Sequence, residues 1–257
     1  MIFLTFRFYG ELNDFLPVAY RHRRFRYSRR AVSSVKDAIE ALGVPHPEAD
    51  VIVINGRDQD FSYRLQDGDH VAVYPPFRSI DVSSLRRVGG DPPAPVRFVA
   101  DVHLARLAAF LRLCGFDTLV DGDDAEVAGV GARDARVVLT RDVGLLKRAI
   151  VRYGHWVRDT NPERQLAEVL ARFGLADQLQ PFTRCLRCNT TLVRIDADVV
   201  ADRLPARTRA RFQQFHQCPE CGRVYWPGSH YVRLRDLIDR VRQSPPRLES
   251  SDAGGRL

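Results

Sequence analysis

The chain has 257 residues, and at roughly 150 residues per domain this length predicts about two domains. With 45% hydrophobic and 28% charged residues, the composition is that of a globular protein and excludes a fibrous or mostly disordered chain. The net charge of +7 favours a polyanionic partner. The sequence has no apolar run approaching about 20 residues and no signal-peptide pattern. We therefore expect a cytoplasmic protein without a membrane segment.

Residues 1–78 show the element order of a β-grasp domain. A period of two runs from Ile2 to Phe8 and predicts a strand. Ser34 can cap a helix whose apolar stripe ends before Gly43. The predicted elements are, in chain order, a strand over 2–8, a strand beginning at Phe25, a helix over 35–42, and strands over 51–54 and 71–74. A hairpin, a helix and then further strands predict a ubiquitin-like β-grasp (α+β) domain.

Several turns of this domain resemble those of the ubiquitin-like sulfur carriers of molybdopterin and thiamine synthesis. The similar motifs are Asn55-Gly56, the Asp67-Gly68-Asp69 turn and residues 71–76. Those carriers end in Gly-Gly with a free carboxylate, whereas Gly89-Gly90 is followed here by a proline-rich segment and a further domain. We therefore interpret residues 79–95 as a linker. A sulfur-carrier precursor cleaved after Gly90 is an alternative.

Residues 96–180 alternate between strand and helix patterns. Strands are predicted over 97–100, 116–120, 136–140 and 156–158, and helices over 104–114, 125–132, 143–151 and 162–173. This alternation predicts an open parallel α/β sheet. Residues 181–242 are expected to form a metal-binding segment with a helical lobe at 196–215 and a helix over 231–241. The polar residues 243–257 are expected to be a disordered tail.

Four cysteines carry the strongest chemical signal. They form two C-x-x-C pairs separated by 29 residues: Cys185 with Cys188, and Cys218 with Cys221. In each pair both thiolates can point at one ion, so two pairs supply the four sulfurs of a tetrahedral, structural Zn²⁺ site. A redox pair and unliganded thiols are the alternatives.

Carboxylates at strand ends carry the second signal. Asp101 and Asp142 each follow an apolar strand and begin a helix, and Asp124 follows the strand between them. Ligands of an open parallel sheet bind beyond the carboxyl ends of its strands, where such acids can hold Mg²⁺ or Mn²⁺. An aspartate in this position can instead be only a helix cap.

Residues 96–240 resemble the Mut-7 C-terminal ribonuclease domain, a branch of the PIN-like nucleases. The resemblance is carried by residues 98–101, 104–118 and 139–142, by the cysteine pairs and by residues 225–230. It implies a PIN-like fold and metal-dependent hydrolysis of RNA, and members of this family can carry a ubiquitin-like N-terminal domain. Asp101, Asp124 and Asp142 match the catalytic acids. Asp117 matches a position at the opening of a strand, and Asp159 is the candidate for a fourth acid.

Arginines and aromatic rings carry the third signal. Residues 181–235 contain ten arginines with interspersed rings, a composition that suits single-stranded RNA. The candidate RNA-binding residues are Arg187, Arg223, Trp226 and His230. The rings can instead form the small core of the ribbon. The sequence thus predicts a ribonuclease with a zinc ribbon, and the alternative is a non-catalytic RNA-binding or adaptor protein that acts through its ubiquitin-like domain.

Overall fold

The computed structural model of the protein forms two compact units. The first contains Met1–Ala94 and Asp123–Trp156, and the second contains Pro95–Gly122 and Val157–Leu257. The residues that the structure describes are 1–30, 32–77, 83–85, 88–228, 232, 235, 236 and 238–240. Among them, no helix is long and apolar enough to cross a membrane. The tail predicted at 243–257 lies outside the described residues, as does part of the helix predicted at 231–241.

The elements follow the order that the sequence pattern predicts, with a few shifts. The strands are β1 (Ile2–Phe8), β2 (Phe25–Arg29), β3 (Val51–Ile54), β4 (Arg57–Gln59), β5 (His70–Tyr74), β6 (Phe98–Asp101), β7 (Thr118–Asp121), β8 (Val137–Thr140), β9 (Gly154–Trp156), β10 (Val193–Ile195), β11 (Phe215–Gln217) and β12 (Val224–Tyr225). The helices are α1 (Val35–Ala41), α2 (Ala105–Leu113), α3 (Asp124–Arg133), α4 (Val143–Leu146), α5 (Pro162–Arg172) and α6 (Ala206–Arg211).

The N-terminal sheet has the strand order β2-β1-β5-β3-β4. Strands β1 and β5 are parallel, and the other neighbours are antiparallel. Alternate residues of β1, Leu4, Phe6 and Phe8, are buried in one hydrophobic core together with Ile39 of α1. The predicted β-grasp arrangement is therefore confirmed, because the period of two places the apolar side chains of β1 on the same face of the sheet.

Local signals position α1 and the β3–β4 hairpin. Ser34 and Asp37 form a capping box at the start of α1, in which each side chain accepts the backbone N–H of the other residue. Gly43 follows the helix with φ +114°, and a Cβ there would lie 2.6 Å from the Phe15 carbonyl oxygen. Asn55 and Gly56 both have positive φ, as a two-residue hairpin turn requires. The turn leads into β4, whose three polar residues carry no strand pattern in the sequence.

The rest of the first unit contains α3, β8, α4 and β9, with β8 and β9 parallel. Two predictions differ here from the structure. Helix α4 ends at Leu146 rather than at residue 151, and β9 covers Gly154–Trp156 rather than 156–158. Glycine and histidine in β9 give little strand signal, and its position depends on contacts with residues far away in the chain.

Those contacts join β9 to the β-grasp residues. Glu48 is fully buried, and its Oε1 accepts the Trp156 N–H at 2.6 Å and lies 3.1 Å from His155 Nδ1. The ring centroids of Phe15 and Trp156 lie 5.1 Å apart. The His46 ring donates from Nε2 to the Val151 carbonyl at 2.8 Å. The 3-10 segments of the β-grasp domain that contain Phe15, His46 and Glu48 are thus packed against residues 151–156 within one unit.

The substitution Glu48→Ala is expected to lower the free energy of unfolding by about 3 kcal/mol, since it leaves buried polar groups of His155 and Trp156 without their acceptor. Glu48→Gln keeps an acceptor oxygen and should lower the free energy of unfolding by less than Glu48→Ala does. Urea unfolding of the full chain measures both changes. The exposed Glu163 provides the control, because Glu163→Ala should change stability by less than about 1 kcal/mol. A Glu48→Ala protein as stable as the control would contradict this assignment.

In the second unit, β6 and β7 are parallel and α2 packs against α5. Helix α5 begins as predicted, with Asn161 accepting the N–H groups of Glu163 and Arg164 and with Pro162 as the first residue. Gly115 ends α2 with φ +95°, and a Cβ there would lie 2.4 Å from the Gln180 carbonyl oxygen.

Strands β10, β11 and β12 form a separate antiparallel sheet. A lobe lies between β10 and β11, as predicted for residues 196–215. It consists of a 3-10 helix (Ala197–Arg203) and α6, packed around Val200, Leu204 and Phe215.

Candidate functional site

Two loops of the second unit have the same backbone geometry around their cysteines. In the first loop, the Cys185 N–H donates to the Thr190 carbonyl at 2.8 Å and the Asn189 N–H donates to the Cys185 carbonyl at 3.0 Å. The second loop, starting from Cys218, repeats both bonds at 3.0 and 2.9 Å. The residue after the second cysteine has φ +69° in both loops, Asn189 in the first and Gly222 in the second. Each C-x-x-C pair is thus held in the same tight turn.

The two turns bring the four cysteine sulfurs together. All four Sγ atoms lie within 4.8 Å of one another, and those of Cys185 and Cys221 are 3.7 Å apart. Around a tetrahedral Zn²⁺ with Zn–S bonds of about 2.3 Å, sulfurs are separated by about 3.8 Å. Four thiolates complete the coordination of such an ion. The cluster can therefore hold zinc, with no coordination position left for water.

Hydrogen bonds favour the thiolate form of Cys185. Burial raises the pKa of this thiol, but hydrogen bonds from the Tyr225 hydroxyl and the Cys188 N–H outweigh burial, and the pKa falls to about 6. The Tyr225 oxygen lies 3.2 Å from Cys185 Sγ and accepts the Leu186 N–H at 3.1 Å. Since the thiolate is the form that binds a metal, this environment suits a metal ligand.

The first cysteine turn is bound to α2 and to the start of β7, the strand that pairs with β6. Arg112 of α2 donates from Nη1 to the carbonyl oxygens of Leu186 and Arg187, both at 2.9 Å, and from Nε to the Thr118 carbonyl at 2.9 Å. Asn189 accepts the Thr118 N–H at 3.0 Å and donates to Asp117 at 2.7 Å. The cysteine cluster is therefore held rigidly against β7 and α2 within the second unit.

Two aspartates end the parallel strands of the second unit. Asp101 ends β6 and Asp121 ends β7, and the two residues are register partners. Register partners on parallel strands project their side chains from the same face of the sheet. Asp101 is buried, and its Oδ1 accepts the His103 N–H at 2.7 Å. The two carboxylates therefore lie side by side at the carboxyl ends of neighbouring strands.

The other two predicted acids belong to the first unit. Asp142 follows β8 and precedes α4, and its Oδ1 accepts the Gly144 N–H at 2.7 Å. Asp124 is the first residue of α3, whose cap is Asp123. Both Asp124 and Asp142 are exposed. Each predicted acid thus lies at the end of a strand or at the start of a helix, as the sequence pattern indicates.

Two further acids occupy other positions. Asp117 immediately precedes β7 and accepts a hydrogen bond from Asn189, so it lies at the opening of that strand. Asp159 accepts the Asn161 N–H at 2.8 Å and lies 3.8 Å from an Arg164 nitrogen, in the turn before α5.

The RNA-binding candidates fall at different places. Arg187 is exposed in the first cysteine turn, Arg223 is exposed just before β12, and Trp226 is half-buried just after β12. His230 lies outside the described residues.

Asp121 is not among the acids predicted from the sequence. The strand predicted over 116–120 ends one residue before it, whereas β7 includes it. The repeated pattern of an apolar run closed by aspartate, seen in Leu119-Val120-Asp121 as in Val99-Ala100-Asp101, is the signal that could have found it.

Comparisons with known families agree with both parts of this architecture. A family model described as the Mut7-C RNAse domain matches residues 96–238, and one described as Mut7-C ubiquitin matches residues 1–81. No curated protein matches the chain significantly. The first model spans more than half of the chain and includes the strand-end aspartates and all four clustered cysteines. The chain therefore belongs to the Mut7-C RNAse domain family and carries a Mut7-C ubiquitin-like domain at its N-terminus.

Proposed function

We propose that this protein is a metal-dependent ribonuclease that hydrolyses phosphodiester bonds of single-stranded RNA. Membership of an RNase domain family indicates a nuclease-like role. The observation that supports hydrolysis in this chain is the placement of aspartates at the carboxyl ends of parallel strands inside the matched region. In this proposal residues 96–180 form a PIN-like nuclease core, residues 181–242 form a zinc ribbon, and the enzyme acts in the cytoplasm.

The proposed catalytic ligands are Asp101, Asp124 and Asp142, with Asp121 added as the register partner of Asp101. One or two Mg²⁺ or Mn²⁺ ions held there would supply Lewis acidity and lower the pKa of a bound water. The strand ends fix Asp101 and Asp121 on one rigid edge. In the reaction an oxygen of water bonds to phosphorus, the bond from phosphorus to the leaving ribose oxygen breaks, and that oxygen takes up a proton.

Zinc has a structural role in this proposal. The four-thiolate cluster fits Zn²⁺ and is bound through Arg112 and Asn189 to the elements around Asp101. Bound zinc would therefore hold the ribbon in position beside the nuclease core, where its arginines and rings can contact RNA.

One observation supports a second candidate function. The side chains of Asp101 and Asp142 each accept an N–H two residues ahead, at 2.7 Å, as helix caps do. If capping is their whole role, the protein is a non-catalytic RNA-binding or adaptor protein that acts through its ubiquitin-like domain.

Cleavage of end-labelled single-stranded RNA distinguishes the two functions. We expect products only after Mn²⁺ or Mg²⁺ is added to zinc-loaded protein, because the proposed reaction depends on a bound metal ion to lower the pKa of the attacking water. Zinc content and RNA binding are measured in the same samples. RNA binding without cleavage under every ion would contradict the ribonuclease and favour the adaptor.

A further inference from the structure

We propose that a groove beside the cysteine cluster binds an unpaired nucleotide of RNA, with its base between aromatic rings and its phosphate on two arginines. The inference deepens the proposed function, since it assigns the RNA contact to a defined site. The groove lies within the second unit and has a volume of about 560 Å³. Its principal residues are Phe182, Arg184, His216, Arg223, Tyr225 and Trp226.

The size and walls of the groove suit one nucleotide. Small-molecule sites generally measure about 300–1,000 Å³. Most of the lining comes from two stretches of the chain, residues 181–184, which lead into the first cysteine turn, and residues 223–228, which include β12. Both stretches adjoin the cysteine cluster, because the first precedes Cys185 and the Tyr225 hydroxyl of the second lies 3.2 Å from Cys185 Sγ.

The charge of the groove is complementary to a phosphate. Arg184, Arg223 and His216 line it, and among its described lining residues there is no aspartate or glutamate. Arg184 is held in place because it donates from Nε to the Gly115 carbonyl at 3.1 Å and from Nη1 to the Asn189 carbonyl at 2.9 Å. Arg223 is exposed and forms no ion pair with any described residue. Two guanidinium groups in one groove, one of them held by backbone carbonyls and the other exposed, can bind a phosphodiester.

The rings of the groove are held in fixed orientations. The Tyr225 hydroxyl is bonded to the first cysteine turn, and Trp226 packs against the core of the lobe around Phe215. Phe182 has φ +63°, a backbone conformation that bulky residues rarely adopt, and its N–H donates to the Leu113 carbonyl at 2.9 Å. Such a conformation persists only where surrounding structure imposes it, and it is frequent at binding sites.

These features favour unpaired RNA over a duplex. Every base has a π-face, so stacking on aromatic rings does not depend on the RNA sequence. The base must, however, be free to leave its stacked neighbours. A duplex keeps its bases stacked inside the helix and presents phosphates and 2′-hydroxyls to proteins. The groove should therefore accept single-stranded RNA of any sequence and reject the same strand once it is paired.

Fluorescence anisotropy with a 5′-labelled oligouridine and the zinc-loaded full chain, without Mg²⁺ or Mn²⁺, tests the groove separately from cleavage. We expect Trp226→Ala to weaken binding about 5- to 100-fold, and Trp226→Phe to restore most of it. Arg223→Ala should also weaken binding. Arg207→Ala is the matched control, because Arg207 is exposed on α6 and does not line the groove.

Each outcome of this experiment decides the proposal. Zinc content and circular dichroism identify a variant that fails to fold, and the exposed Arg223 keeps the test valid if Trp226→Ala does not fold. Binding by Arg223→Ala that equals binding by Arg207→Ala would overturn the groove, as would equal affinity for the paired strand. Loss of binding in the groove variants supports the groove even if the wild type cleaves no RNA. Failure of the proposed ribonuclease activity is thereby distinguished from failure of the groove.

Discussion

The substitutions Asp101→Asn and Asp142→Asn are each expected to abolish RNA cleavage and to leave the fold and RNA binding unchanged. Loss of a residue that only supports a metal ligand lowers metal affinity or activity about 10- to 100-fold. Loss of a ligand itself should therefore reduce kcat by at least about 100-fold. Asparagine removes the negative charge but keeps an oxygen of the same size. It can still accept the His103 or Gly144 N–H, and asparagine caps helices about as well as aspartate.

A matched control exists in the β-grasp domain. Asp60 accepts the N–H of the residue two ahead, Ser62, at the same 2.7 Å. Asp60→Asn therefore makes the same chemical change in the same kind of turn at a residue that is not a proposed ligand, and should keep full activity. Rates are measured on end-labelled RNA in Mn²⁺, with binding and zinc content checked for each protein.

The register of the strands extends this prediction to Asp121. Because Asp121 is the neighbour of Asp101 at the same sheet edge, Asp121→Asn should reduce the rate as well. Equal cleavage by the wild type and by the Asp101 and Asp142 variants would point to a contaminating nuclease and would support the adaptor function.

Removal of one thiolate from the cysteine cluster is expected to remove bound zinc and to unfold the ribbon. Structural zinc contributes about 10–16 kcal/mol of apparent binding free energy that is coupled to folding. The substitution Cys185→Ser should therefore reduce the zinc content from one ion per chain to near zero. It should also lower the melting temperature, because Arg112 and Asn189 join the cysteine turn to the core of the second unit.

The fifth cysteine supplies the control for this experiment. Cys114 is buried and lies outside the cluster, so Cys114→Ala should retain one zinc per chain. Zinc is measured by elemental analysis after dialysis, and unfolding by circular dichroism. A wild-type protein without zinc, or a Cys185→Ser protein that retains a full equivalent, would contradict the structural zinc site.

The sequence by itself determined the features that depend on local geometry. The alternation in β1 predicted a strand with one buried face. Ser34 marked the start of a helix that the structure confirms, and the helix predicted from residue 162 begins there. The spacing of the cysteine pairs predicted the grouping of four sulfurs. These signals are readable because a cap, a tight turn or a period of two involves residues within a few positions of each other.

The tertiary structure alone decided the features that depend on distant partners. Strand β9 is bound by Glu48, a residue more than 100 positions away, and its own sequence predicts a strand only weakly. The sequence pattern places Asp121 after an apolar run, but its pairing with Asp101 is a property of the sheet register. Phe182 and Trp226 line the same groove, and no local pattern relates those two residues. Burial, register and cavities arise from contacts between segments far apart in the chain, so the periodicity and spacing of a single sequence do not specify them.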